Sequence, residues 1–285
     1  MLKKFLLAVA ILGCNPIAIA ASSKTINHDP NWTGFYLGAN AGYWGTQSNQ
    51  ISSSGSVNYI NQTYPLGASN IANALAQLGA TSASLNPNGF IGGGQAGYNY
   101  AFGPGFLVGF HADFEGLTNG NNNLTLSKTV SLVDFSESYT GSLSVTERIN
   151  YLGTLRARLG YLFSPTFLVY GTGGFAYGNV TENTTWSAQE SLGSPAFPAV
   201  SVQNNVNKTL PGWTVGAGIE WLFKPEWGTT LEYTYYSFSN LNTSTTLGQT
   251  NGAVSPAALW GSANANTRFS LSTWALKVGL NYHFA

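Results

Sequence analysis

The chain has 285 residues, 44% hydrophobic and 14% aromatic but only 8% charged, with a formal net charge of +0. A soluble domain carries about a quarter charged residues, so this composition lacks the surface charge of one. No run of eighteen apolar residues follows the N-terminus, which excludes a helical membrane protein, and neutrality argues against nucleic acid as a partner.

The N-terminus has the form of an export signal. Lys3 and Lys4 precede an apolar run at 5–13, and Ala18-Ile-Ala20 ahead of Ala21 is a small-x-small cleavage pattern. This divides the chain into a signal peptide (1–20), a polar periplasmic lead-in (21–33) and a membrane domain (34–285). Ile11-Leu-Gly-Cys14 also resembles a lipoprotein processing box with Cys14 as the lipidated first residue, but the apolar core ahead of it is short, which favours the Ala20–Ala21 bond. Cleavage there removes the single cysteine and leaves no disulfide or thiol chemistry.

Residues 35–44 alternate, with Phe35, Leu37, Ala39, Ala41 and Tyr43 on one face and Tyr36, Gly38, Asn40 and Gly42 on the other. Residues 47–88, rich in Ser, Asn, Thr and Gly, read as a loop with a short helix over 71–78. Runs 90–102 and 106–117 flank Gly103-Pro-Gly105 and must pair as a hairpin; Phe106, Val108, Phe110, Ala112 and Phe114 oppose Leu107, Gly109, His111, Asp113 and Glu115. A polar segment at 118–145 leads to a second hairpin, 147–163 and 167–180 around Ser164-Pro-Thr166. Its first strand is expected to turn Ile149, Tyr151, Leu155, Leu159 and Tyr161 outward and Arg148, Asn150, Thr154, Arg156 and Arg158 inward. A third polar segment (181–209) precedes a third hairpin, 213–223 and 227–238 around Lys224-Pro-Glu226, and a fourth (239–267) precedes the last strand, 273–284. There Trp274, Leu276, Val278, Leu280, Tyr282 and Phe284 alternate with Lys277, Gly279, Asn281 and His283.

These runs predict an all-β fold: an eight-stranded antiparallel transmembrane β-barrel with short periplasmic turns and long extracellular loops. An open strand edge in hydrocarbon leaves backbone groups unpaired at several kcal/mol each, so such strands must close on themselves. Tight turns mark the periplasmic side of bacterial barrels, where both termini then lie. Tyr43, Trp44, Trp213 and Phe238 are expected at the outer aromatic girdle, and Phe35, Trp221, Trp227 and Phe284 at the inner one. The architecture demands that strand charges point inward. Asp113, Glu115, Arg156, Arg158, Glu220, Glu232 and Lys277 all fall in the polar phase, which predicts a lumen network of ion pairs. Eight strands leave an interior just wide enough for side chains to fill.

The strand motifs resemble a known family. Trp32-Thr-Gly-Phe-Tyr-Leu-Gly-Ala-Asn-Ala-Gly-Tyr, Leu168-Val-Tyr-Gly-Thr-Gly-Gly-Phe-Ala-Tyr-Gly, Gly212-Trp-Thr-Val-Gly-Ala-Gly-Ile-Glu, Leu231-Glu-Tyr-Thr-Tyr and the closing Val278-Gly-Leu-Asn-Tyr-His-Phe are similar to the small outer-membrane β-barrels of the opacity-type and OmpA-like surface proteins. The resemblance covers the strands and none of the long connections. It implies a Gram-negative outer-membrane location among lipid and lipopolysaccharide, and a C-terminal strand (Val278, Leu280, Tyr282, Phe284) recognised by the barrel-assembly machinery. That family usually closes on its aromatic residue, whereas Ala285 follows Phe284 here. Its members are variously porin-like, adhesive, hemin-binding or surface antigens.

Enzymatic parts are not apparent. His28, His111 and His283 stand in no nucleophile motif, no metal-ligand cluster is visible and no cofactor is called for. Residues 30–112 hold no charged residue, and neither do 233–267, so the first and fourth polar segments are expected not to recognise a polyanion by charge. Their hydroxyls and amides could bind a sugar or a host protein. Ile71, Leu75 and Leu78 share a helical face suited to capping the barrel mouth, and Tyr59, Tyr64 and Tyr139 are the loop donors available to a hemin. The sequence thus reads as a monomeric, non-enzymatic surface or structural protein; the alternative is a narrow porin or a hemin-binding transporter.

Overall fold

The computed structural model describes residues 32–47, 49–59, 73, 76–120, 123–131, 138–190, 200–249 and 261–284. The strands are β1 (Gly34–Thr46), β2 (Asn49–Tyr59), β3 (Thr81–Leu85), β4 (Asn88–Phe102), β5 (Phe106–Leu117), β6 (Asn123–Ser131), β7 (Ser138–Ser164), β8 (Phe167–Glu190), β9 (Val200–Lys224), β10 (Trp227–Phe238), β11 (Leu241–Gln249), β12 (Gly261–Ser270) and β13 (Ser272–His283).

Eight of them form the barrel. The order β5-β4-β1-β13-β10-β9-β8-β7 closes because β5 also pairs with β7, from Phe106↔Tyr161 to Gly116↔Tyr151, and the pairings around the ring are antiparallel. The first and last strands meet where β1 pairs with β13, Tyr36 opposite His283. The turn between β4 and β5 uses Gly103 and Gly105 at φ +56 and +119, backbone that a side chain would strain. Because side chains alternate across a strand, the apolar phase lies outside the barrel, with Phe35, Phe110, Leu159 and Phe163 exposed. On a soluble protein this surface would aggregate; in a bilayer it is the lipid contact.

Aromatic rings gather at two heights. Tyr43 packs on Phe90 and Trp274, and Trp213 on Tyr235, toward the ends away from the turns. Tyr161 packs on Phe106 and Phe163, and Tyr282 on Trp227 and Phe284, beside the turns. Trp44 and Phe238, expected in the outer girdle, are instead buried inside. Both lie in the inward phase at the top of their strands, where the lumen has become apolar.

The polar connections are strands over much of their length. β7 has 27 residues, a reach of about 90 Å at roughly 3.3 Å per residue, more than twice what a tilted crossing of a roughly 25 Å apolar band needs. Above the outer girdle β6, β7, β8 and β9 continue as one sheet, while β11, β12, β2 and β3 form a second. Their inner faces share one core containing Ile51, Leu85, Leu143, Val145, Trp186, Leu210, Leu241 and Phe269. The expectation of irregular loops at 47–88, 118–145, 181–209 and 239–267 is corrected by this cap. Ser and Thr mark turns by composition, but Thr also favours strands, and an apolar residue at alternate positions was enough to bury one face. Within 71–78 the described residues 73 and 76–78 are helical, and Leu78 is buried in the cap; Ile71 and Leu75 lie outside the described residues.

A second correction concerns β7. Ile149 pairs with Val180 and Tyr151 with Asn179, so Asn150 is the extra residue of a β-bulge. The bulge puts two successive residues outside and shifts the phase. Glu147 and Ile149 therefore point inward and Arg148 and Asn150 outward, while Thr154, Arg156 and Arg158 beyond the bulge stay inside. Strict alternation cannot foresee this. Ile149→Ala is expected to destabilise the cap by about 2–4 kcal/mol through loss of buried methylenes, and Arg148→Ala by no more than about 0.5 kcal/mol as a surface change. Denaturant unfolding of the protein in bilayers tests the pair; the reverse ranking would restore strict alternation.

Candidate functional site

The barrel positions seven charged side chains in the lumen by the same phase rule that points the rings to lipid. Asp113 and Glu115 come from β5, Arg156 and Arg158 from β7, Glu220 from β9, Glu232 from β10 and Lys277 from β13, and all are buried. The structure brings them together in two groups.

In the upper group Arg156 reaches across the lumen. Its guanidinium pairs with Asp113 on one side and with Glu232 on the other (2.8 Å to Glu232), and donates to Thr154 and Thr172. Lys277 crosses the other diameter, 2.7 Å from Glu115 and 3.4 Å from Asp113. Thr154 donates to Asp113 and Thr234 to Glu232. In the lower group Arg158 pairs with Glu220 at 2.6 Å and stacks 3.8 Å above the Tyr170 ring. Glu220 also accepts from Asn281 (2.7 Å) and lies 2.9 Å from His283 Nε2. Gln95 donates to Asn281, and Asn40 to Gln95. Tyr36 and His111 share a hydrogen bond of 2.6 Å, and His111 lies 3.3 Å from Asp113.

Close packing of these groups needs glycine opposite the larger rings. A Cβ at Gly218 would stand 2.6 Å from the Tyr170 hydroxyl, and one at Gly97 would meet the Tyr36 hydroxyl. Four carboxylates (Asp113, Glu115, Glu220, Glu232) face three cations (Arg156, Arg158, Lys277). Such a set is held by mutual pairing, since a buried charge without a partner is strongly destabilising.

The network is closed above and below by apolar layers. Toward the periplasm Trp32, Leu107, Leu162, Leu168 and Leu222 form a compact cluster, and the Trp32 indole donates 2.7 Å to the Pro165 carbonyl of the β7–β8 turn. Trp32 falls in the stretch expected to be an irregular lead-in; its place in the first run that carries the family resemblance, Trp32-Thr-Gly-Phe, was the available signal. Toward the outside the shared core of the cap begins with Trp44, Leu152, Tyr236 and Phe238. His283, Tyr36, Tyr170, Gln95 and Asn281 were not foreseen as network members, although each sits in the inward phase.

The other candidate residues fall elsewhere. Leu280 and Phe284 face outward, as does Val278, while Tyr282 is half-buried against Trp227. Ala20, Ala21, Cys14 and His28, and the side chains of Tyr59, Tyr64 and Tyr139, lie outside the described residues. Among the described residues no group of three or more His, Cys, Asp or Glu could hold a metal ion. The fourth polar segment, 239–267, holds no charged residue, but β12 runs on past Thr267 and presents Arg268 on its outward face.

Above the membrane, Glu147 and Glu182 oppose each other across β7 and β8, both buried. Burial, and then the neighbouring Glu147 charge, push the Glu182 carboxyl up to about 9. Val180, Leu210, Leu241, Phe269 and Leu271 line the space around the pair.

The chain matches the model of the outer membrane protein beta-barrel domain over residues 6–284. It is 31% identical over 255 residues to the 31 kDa outer-membrane immunogenic protein of Brucella melitensis, covering 89% of this chain and 84% of that protein. It is 28% identical over 162 residues to the 22 kDa outer membrane protein of Rhizobium leguminosarum bv. viciae, covering 53% and 64% respectively. Among solved structures, Neisserial surface protein A aligns with a TM-score of 0.35 at 14% identity over 88% of this chain and 98% of that one. OprG of Pseudomonas aeruginosa aligns with a TM-score of 0.35 at 10% identity over 88% and 97%.

Two outcomes follow from the geometry. Glu182 holds a proton when folded that it releases when unfolded between its ordinary value of 4.5 and about 9, so the cap should lose stability as pH rises through that window. Unfolding measured from pH 5 to 9 should show this slope, and Glu182→Gln should flatten it; a slope unchanged by the substitution would remove Glu182 as its source. Arg158→Ala leaves Glu220 without its cation and should lower barrel stability by about 3–5 kcal/mol, read as a lower denaturant midpoint in bilayers.

Proposed function

Because the chain belongs to the outer membrane protein beta-barrel domain family, we propose that it is a non-enzymatic surface barrel whose external contacts are made by its extracellular cap. The observation that carries this reading is the filled lumen. From the periplasmic mouth upward come the Trp32 cluster, the two ion-pair groups and the apolar core of the cap. A narrow porin needs a continuous water path, and the Arg156 and Lys277 bridges cross the diameters that such a path would use. A catalytic site needs a cavity that admits substrate, whereas these carboxylates are held by cations of the protein itself.

The remaining parts of the reading rest on the sequence. Residues 1–20 act as the export signal, the C-terminal strand is the segment taken up by the barrel-assembly machinery, and the barrel works as a monomer among outer-membrane lipid and lipopolysaccharide. The Brucella relative is described as an outer-membrane immunogenic protein, which accords with a cap presented to the outside.

Single-channel recording of the refolded protein in a planar bilayer tests the proposal. The expected result is a silent membrane with a barrel that is folded by circular dichroism, and continued silence for Arg158→Ala, because the apolar layers above and below remain. Steady openings whose conductance changes with Arg158→Ala would overturn the proposal in favour of a narrow porin.

A further inference from the structure

The outward face of the second extracellular sheet carries a groove of about 440 Å3. Two cross-strand rows form its floor. In the row nearer the barrel, Asn242 of β11 pairs with Arg268 of β12, and Arg268 with Ser52 of β2; in the next row Ser244 pairs with Asn266, and Asn266 with Ser54. All six side chains are exposed, since the opposite phase, with Ile51, Ser53, Thr245 and Thr267, is the buried one.

The charge distribution is the informative feature. β2, β3, β11 and β12 contain no Asp, Glu or Lys, and Arg268 is the one charged residue of the four strands. Among the described residues its guanidinium makes no ion pair, so the groove presents an unneutralised cation with no carboxylate on the sheet to compete for it. A guanidinium is a planar fork of donors that fits a carboxylate or a phosphate through two parallel hydrogen bonds. Around it stand two primary amides and three hydroxyls, groups that both donate and accept. Protein partners are usually anchored by buried aromatic or apolar side chains, and this groove supplies none. A nucleic acid or other polyanion would require a stripe of cations, and there is one. A ligand rich in hydroxyls with a single anionic group satisfies every lining side chain.

We propose that this groove binds an acidic saccharide, with Arg268 pairing the carboxylate or phosphate and Ser52, Ser54, Asn242, Ser244 and Asn266 engaging the ring hydroxyls. The inference rests on the surface-barrel reading above and deepens it by naming a ligand class and a site. Two sources offer this chemistry: phosphorylated sugars of the neighbouring lipopolysaccharide, and uronic-acid glycans from outside the cell.

The test is calorimetric titration of the full-length protein in lipopolysaccharide-free phospholipid nanodiscs at fixed salt. The probes are an aldotetraouronic acid (a tetrasaccharide with one carboxylate), a singly phosphorylated oligosaccharide of the lipopolysaccharide core, and maltotetraose as the neutral control. At least one acidic sugar should bind tenfold or more tightly than maltotetraose, and Arg268→Gln should weaken that binding tenfold or more. Asn242→Ala and Asn266→Ala should each weaken it about fivefold, the worth of one hydrogen bond. Binding of the core oligosaccharide alone assigns the groove to the protein's own leaflet, and binding of the aldotetraouronic acid alone assigns it to an external glycan; both outcomes support the site. No binding by either acidic sugar, equal binding of maltotetraose, or affinity unchanged in a folded Arg268→Gln protein would overturn it. Conductance recorded on the same preparation separates the two readings. A silent barrel that binds no sugar removes the groove alone, whereas a conducting barrel removes the surface reading whatever the titration gives.

Discussion

Pairing of β5 with β7 is the interaction on which the rest depends. Hydrocarbon offers no partner for an unpaired N–H or C=O, so a sheet of these strands is viable in a membrane only when its two edges meet. Closure at eight strands sets the diameter, and the diameter sets the interior. Whatever points inward must then fill a narrow space with little water, which turns the inward phase from a list of polar residues into a packing problem.

The lumen solves that problem with charge in the middle and hydrocarbon at the ends. Arg156 of β7 reaches Glu232 of β10 and Lys277 of β13 reaches Glu115 of β5, so strands on opposite sides of the ring are tied to one another. Arg158 is covered by the Tyr170 ring and fixed by Glu220, which is in turn shared with Asn281 and His283 near the C-terminus. Charge pairs of this kind give less stability than hydrophobic replacements often would, but once present each depends on all the others. The Trp32 cluster and the core of the cap keep water from either end, and that exclusion makes the pairing obligatory.

The cap follows a different logic. Outside the bilayer an outward-facing residue meets water, so the lipid-facing pattern of large apolar side chains stops near Tyr43, Tyr151, Tyr177 and Trp213 and is replaced by Arg, Asn, Ser and Thr. Its inner phase stays apolar, with Leu143, Val145, Trp186 and Phe269. Read by composition, such a segment looks like a loop; read by period, it is a strand with small hydroxyl residues on its wet face. The long β7, β8 and β9 are therefore single strands that pass from one solvent to another, and their two halves carry different outer surfaces with one continuous inward phase apart from the Asn150 bulge.

From its sequence alone the chain declared a closed antiparallel barrel, its turns, its lipid face and the inward direction of Asp113, Glu115, Arg156, Arg158, Glu220, Glu232 and Lys277. Those properties follow from period two and from the cost of placing charge in lipid, both of which are local. What tertiary structure decided was everything that depends on neighbours distant in the chain. Partner choice within the lumen is set by which strands face each other across the ring. The inward turn of Ile149 is set by a bulge, the cap supplies the apolar core that Trp44 and Phe238 join, and Trp32 gains its role only because the turn carbonyl of Pro165 lies beside it. Arg268 became the centre of a groove because three strands from opposite ends of the chain, β2, β11 and β12, pair side by side. A pattern within one strand carries no information about what the adjoining strand will bring.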